Sequence, residues 1–167
     1  AGKSLLRVEN GPKGAPRFSM LETIRQFALQ RLKASGEQAD VSCRHAMYFL
    51  DLAERATPLL RQGNGQCRDR IAADHDNYRA ALASFDQAGN LDHALRVAGA
   101  LSWFWWMQGH FITARGALSG LLAAAENAGG VGVSPTTTAR ALIALGLFEY
   151  HQGAYDNARD DIAKGKE

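Results

Sequence analysis

Cysteine is scarce in this sequence. Cys43 and Cys67 are the only two in 167 residues, too few and too isolated for a disulfide framework or a Cys-rich zinc site. They read as free thiols of a reducing compartment, so the expected location is cytoplasmic. No run of about 18 apolar residues occurs, so no membrane span is expected. Signal-peptide architecture is also missing, and the first residue is not Met; the chain reads as a piece of something longer. The five histidines never pair at metal-ligand spacing, and no metal or cofactor is expected. His75, flanked by Asp74 and Asp76, reads as a hydrogen-bonding group at a helix start. Gly11-Pro12-Lys13-Gly14 lacks the spacing and the following Ser/Thr of a phosphate-binding loop. Gly116-Ala117-Leu118-Ser119-Gly120 misplaces Ser for a nucleophile elbow and falls inside a helical pattern. Glu149 and His151 are two residues apart on another helix and point apart. No enzyme is expected.

Hydrophobic residues make up 46% and charged residues 22%, the composition of an ordinary globular protein. Net charge is +2, with lysine and arginine in excess up to Arg70 and acidic residues in excess after it. A basic half can mark nucleic-acid binding, but a solvated helix surface or a contact with a neighbouring domain explains it better. Direct nucleic-acid contact is not expected.

The most ordered pattern lies between Leu91 and Ala125. Leu91, Leu95, Ala98, Ser102, Trp105 and Gly109 recur at helical spacing, with Val97, Leu101 and Phe104 beside them. After Gln108-Gly109-His110, the stripe Phe111, Ala114, Leu118, Leu121 and Ala125 marks a second helix. So short a link folds the pair back antiparallel. The pattern returns from Ala139 to Lys166 around Gly153: Phe111 aligns with Tyr155, Ala114 with Ala158, Leu118 with Ile162. In the second copy Gly146, Gly153, Tyr155 and Ala158 stand at the offsets of a tetratricopeptide repeat (TPR), where small residues let paired helices approach closely. The first copy has Ser102 at the small-residue position, and the second has Glu149 where an aromatic is common. Gly129 to Pro135 separates the copies.

Upstream, Ser4–Glu9 and Arg17–Met20 alternate apolar and polar residues around the turn-rich 10–16 segment. They predict a β-hairpin with Leu6, Val8, Phe18 and Met20 as packing residues. A helix follows from Glu22 to Ala34, its stripe Leu21, Ile24, Phe27, Ala28 and Leu32, with Gly36 as its left-handed cap. The next helix, capped by Asp40, carries Tyr48, Phe49, Leu52 and Ala56 until Pro58 ends or kinks it. Ile71, Tyr78, Leu82 and Phe85 mark one more helix, which Asp74 or Asp76 can break or cap at its start.

Arg17 to Leu32 (RFSMLETIRQFALQRL), with RHAMYFLDLAERA and DHDNYRAAL after it, resembles the region following the nucleotide-binding module of STAND-class ATPases. These are bacterial signal-transduction proteins, many of them LuxR-like or SARP-like transcriptional regulators, some fused to cyclases. The resemblance implies that residues 1–21 are the last β-hairpin of a winged-helix domain, 22–90 linker helices and an atypical hairpin, and 91–167 two TPR-like repeats. In related ATPases a Met-His-Asp motif at the end of the winged helix touches ADP. Met20-Leu21-Glu22 matches it here; Leu21 cannot donate to phosphate and reads as packing.

The expected fold is mainly α, with TPR-like antiparallel helical hairpins stacked as a short solenoid behind a small β-hairpin. The expected role is a non-catalytic sensor or protein-interaction region, with a small-molecule inducer in the solenoid groove as the alternative. Protein partners are the protein's own ATPase module or a regulatory partner, and self-association through the open C-terminal repeat is a further expectation. Trp103, Phe104, Trp105 and Trp106 point in four directions; Phe104 and Trp105 fit the core. In the TPR pattern the first helix of each hairpin lines the concave face. That assigns Arg96, Gly99, Trp103, Trp106 and Met107 to the groove, joined by Arg140, Ile143, Leu147, Tyr150 and His151 from the second copy.

Overall fold

The computed structural model describes residues 5–10 and 16–166. Strands β1 (Leu6–Asn10) and β2 (Pro16–Met20) pair antiparallel, with Leu6 opposite Met20 and Val8 opposite Phe18. The hairpin forms where the period-two alternation places it; the turn between its strands, including the 11–14 stretch, lies outside the described residues, as do Lys3, Ser4 and Glu167. Eight helices follow among the described residues: α1 (Glu22–Ala34), α2 (Gln38–Arg61), α3 (Gly65–Ala73), α4 (His75–Gln87), α5 (Leu91–Met107), α6 (Phe111–Asn127), α7 (Pro135–His151) and α8 (Tyr155–Lys164). The fold is mainly α.

Local chemistry explains most of the boundaries. Gly36, Gly109 and Gly153 take positive φ where helices stop, a conformation that costs a residue with a Cβ. Asn64, Asn90 and Ser134 each accept a backbone N–H from the first turn of the helix they precede. Ser134-Pro135 therefore starts α7 four residues before Ala139. Asp40 does not cap α2: Glu37 holds that place, and Asp40 sits in the first turn, paired with Arg44 at 2.9 Å. Pro58 does not end α2 either, because it falls in the last turn and the helix closes at Arg61. The stretch from Ile71 to Phe85 is divided at Asp74 into α3 and α4.

The helices pair as hairpins. α2 packs on α4, α5 on α6, and α7 on α8, while α5 also touches α2 and α7. Arg96 of α5 meets Glu54 of α2, and Trp103 meets Leu60 further along, so α2 and α5 run in the same direction. Asp92 and Ser134 join the starts of α5 and α7, and Trp106 and His151 join their ends. The first helices of three successive hairpins thus lie side by side.

One apolar core runs through all three hairpins, from Phe49, Tyr78 and Phe85 through Leu101, Phe104 and Trp105 to Leu118 and Phe148. Phe104 and Trp105 are buried as expected. Between α7 and α8 the approach is close enough to require glycine: a Cβ on Gly146 would stand 2.6 Å from Ile162 Cγ1 and 2.9 Å from the Ala158 carbonyl oxygen. At the aligned position in α5, Ser102 turns its hydroxyl back to donate to the Gly99 carbonyl at 2.7 Å.

The expected burial fails at the N-terminal end. No residue of α1 is buried, and Phe27 is 62% exposed. Leu6, Val8 and Phe18 are exposed as well, leaving Met20 half-buried. Periodicity sets which face of a helix or strand is apolar; the face is buried only where another element lies on it, and α1 touches little beyond α2.

Candidate functional site

A spacing of three positions on one helix puts two side chains on neighbouring turns of one face, and Trp103 and Trp106 use that spacing to stack, with ring centroids 5.0 Å apart and planes 20° apart. Trp103 is held from behind, its indole N–H donating to the Leu60 carbonyl of α2 at 3.1 Å. Trp106 reaches the other way and donates to His151 Nε2 at 3.0 Å. As Nε2 accepts, neutral His151 carries its proton on Nδ1. The His151 ring lies parallel to Phe111 at 5.7 Å, and Tyr150 meets both His151 (6.0 Å) and Tyr155 (5.3 Å) edge to face. The result is a continuous row, Trp103–Trp106–His151–Tyr150–Tyr155, crossing α5, α7 and the start of α8. Three of its members stand open: Trp106 is 38% exposed, Tyr150 58% and Tyr155 62%. Ile143 and Leu147 add apolar surface on the same helix as Tyr150.

Among the residues assigned to the groove from sequence, Trp103, Trp106, Tyr150 and His151 come together in this row. Met107 is half-buried against the core, and Gly99 is half-buried with open space where a Cβ would stand. Arg96 makes two hydrogen bonds to Glu54, at 2.7 and 2.9 Å, and approaches Asp92 at 3.8 Å. Those bonds to Glu54 push its pKa further upward, so its charge is already matched. Arg140 is exposed, and no ion pair engages it among the described residues. It stands at the opposite end of α7 from His151.

Phe111 and Tyr155 were reachable from sequence, because the two copies superpose them. Glu54 was not, since its pairing with Arg96 spans forty-two residues.

Half-buried His75 and buried Glu149 lie outside the row. His75 Nε2 accepts from the Trp105 indole N–H at 3.4 Å; its ring is 6.0 Å from Phe104 and 6.2 Å from His110. Burial first, then electrostatic repulsion from His110 and Arg79, pull its pKa below the ordinary imidazole value, against a smaller opposing effect of Asp76. Among the described residues no three His, Cys, Asp or Glu side chains gather at metal-binding distance. Glu149 is 7% exposed, and its Oε2 has no hydrogen-bond partner. Burial first, then the carboxylate of Asp161 on α8, push its pKa upward, against a smaller pull from Arg115. Among the described residues no helix is long and apolar enough to cross a membrane.

No protein-family model matches the chain, and no solved structure matches it. Over 108 residues, 65% of its length, it is 35% identical to a protein of Mycobacterium tuberculosis (strain ATCC 25618 / H37Rv) carrying the provisional name of HTH-type transcriptional regulator. A Mycobacterium bovis protein with the same provisional name matches to the same extent. The chain spans only 12% of those relatives' own length. What it resembles is therefore a short stretch of much longer proteins named as transcriptional regulators.

Proposed function

We propose that this chain is a non-catalytic, TPR-like helical-repeat region of a bacterial signal-transduction ATPase of the STAND class that acts as a transcriptional regulator in the cytoplasm. On this reading residues 1–21 end a winged-helix domain, 22–90 form the linker helices and an atypical hairpin, and 91–167 carry two repeats. The region's task is to bind protein, either the ATPase module of the same molecule or a regulatory partner. One observation carries the proposal: α2, α5 and α7 stand side by side, and an aromatic row crosses the ends of α5 and α7 with its outer rings open to solvent. Large aromatics with a free arginine on the same helix are the residue types that dominate protein-binding hot spots. The similarity to proteins named as regulators supports the same context.

The test is binding of the chain to the remainder of its parent protein, with Tyr150→Ala and Arg140→Ala as variants. Both side chains are exposed, so the melting temperature should hold within a few degrees while binding weakens about ten-fold or more for at least one of them. Unchanged binding by both variants refutes the assignment. A metabolite that raises the melting temperature of wild-type protein but not of Tyr150→Ala would replace the protein partner with a small-molecule inducer in the same groove.

A further inference from the structure

A cleft of about 780 Å³ opens between the β-hairpin and the helices, and no residue of the aromatic row lines it. Its volume falls in the range of small-molecule sites, roughly 300–1,000 Å³. One wall is Arg17 and Phe18 of β2; the other is Leu59 near the end of α2, Cys67 and Arg70 of α3, and Asn77 of α4.

Two arginines and two aspartates line this cleft, but they are not paired one to one. Arg17 is fully engaged: it pairs with Asp74 at 2.8 Å and donates to the Ala73 carbonyl at 2.8 Å. Asp69, also on the wall, is paired with Arg68 at 3.0 Å. Arg70 has no ion-pair partner among the described residues, which leaves one guanidinium unmatched. The same cleft is lined by Asn77, whose amide is a second donor. The exposed Phe18 ring and Leu59 side chain supply apolar surface in the same cleft.

A guanidinium binds a carboxylate through two parallel hydrogen bonds, and a ring and a leucine cover a flat apolar body. One unmatched positive charge suits one negative charge. We propose that this cleft is a binding site for a small aromatic carboxylate. Its occupant would touch β2 and α2–α4 at once, adding contacts that exist only while the hairpin is docked. Binding would therefore favour the docked hairpin and tie its orientation to the helical array. The proposal is independent of the protein-binding reading, because none of its residues belongs to the aromatic row.

The experiment uses the 167-residue chain with benzoate as probe and benzamide, the uncharged analogue, as control, read by calorimetry and thermal unfolding. Benzoate should bind saturably and raise the melting temperature, while benzamide should do neither. Arg70→Gln should weaken benzoate binding about ten-fold or more, the loss of a charge-assisted hydrogen bond, while leaving the melting temperature of the unliganded protein unchanged. Phe18→Ala should weaken binding several-fold. Absence of saturable benzoate binding, equal binding of benzamide, or undiminished binding by Arg70→Gln overturns the proposal. Tyr150→Ala should bind benzoate as wild type does, so failure of this site and failure of the aromatic row are read separately.

Discussion

The indole N–H of Trp106 donates to Nε2 of His151 at 3.0 Å, joining the C-terminal ends of α5 and α7. This bond lies at the surface, in the middle of the aromatic row. Its neighbour in sequence, Trp105, is 1% exposed and belongs to the core. Adjacent residues of one helix thus have opposite roles.

That contrast sets the first expectation. Trp106→Phe keeps a ring against Trp103 and loses one hydrogen bond, so it should cost about 0.5–1.5 kcal/mol, with partial exposure placing it near the low end. Trp105→Ala removes a buried ring and should cost about 3–5 kcal/mol. Urea unfolding of both variants decides the matter; equal losses would mean that Trp106 is packed as core.

Two glycines separate helix propensity from packing. Gly116→Ala in α6 places its Cβ in open space, so it should stabilise by roughly 0.5–1 kcal/mol through propensity. Gly146→Ala drives a Cβ into Ile162 and the Ala158 carbonyl. Ile162 can rotate away, but a backbone carbonyl cannot, so a loss of about 1–3 kcal/mol is expected despite the same propensity gain. Thermal unfolding showing both variants stabilised would contradict the close approach of α7 and α8.

Glu149 should weaken the fold at neutral pH. Its folded pKa is raised by burial and by Asp161, so its contribution is fully present below the unfolded value of about 4.3 and is lost as pH rises through the folded value. Glu149→Gln removes the charge at nearly constant shape. It should stabilise the protein by roughly 1 kcal/mol at pH 7, with the gain shrinking toward pH 4. A loss at pH 7, measured by denaturant unfolding across that range, would show that the ionised carboxylate is satisfied.

His75 acts with the opposite sign. Its folded pKa is lowered, so its contribution is fully present above the unfolded value of about 6.5 and is lost as pH falls through the lower folded value. Protonation also removes the acceptor that Trp105 uses. In His75→Gln the amide oxygen can still accept that bond and does not titrate. The stability difference between wild type and this variant should therefore move against wild type below pH 6.5. A difference that stays constant from pH 8 to 5 would rule out the titration of His75 as a source of acid sensitivity.

What the sequence determined by itself is local. The 3.6-residue apolar period and the glycines at 36, 109 and 153 placed helices and their ends, because those signals act within a turn or two of the chain. The superposition of the two copies put Phe111 and Tyr155 in equivalent places; Tyr155 entered the aromatic row and Phe111 stacks on its His151. Tertiary structure decided which apolar faces are covered and which charges are matched. The stripe of α1 is as periodic as that of α5, yet it is bare because little packs on it. Arg96 looked like a free cation until α2 brought Glu54 to it, and Arg70 has no ion-pair partner among the described residues because Asp69 and Asp74 of its cleft are held by Arg68 and Arg17. His75 owes its place to Trp105, thirty residues away. Burial and pairing are set by residues distant in sequence, and periodicity within one helix holds no information about what will lie against it.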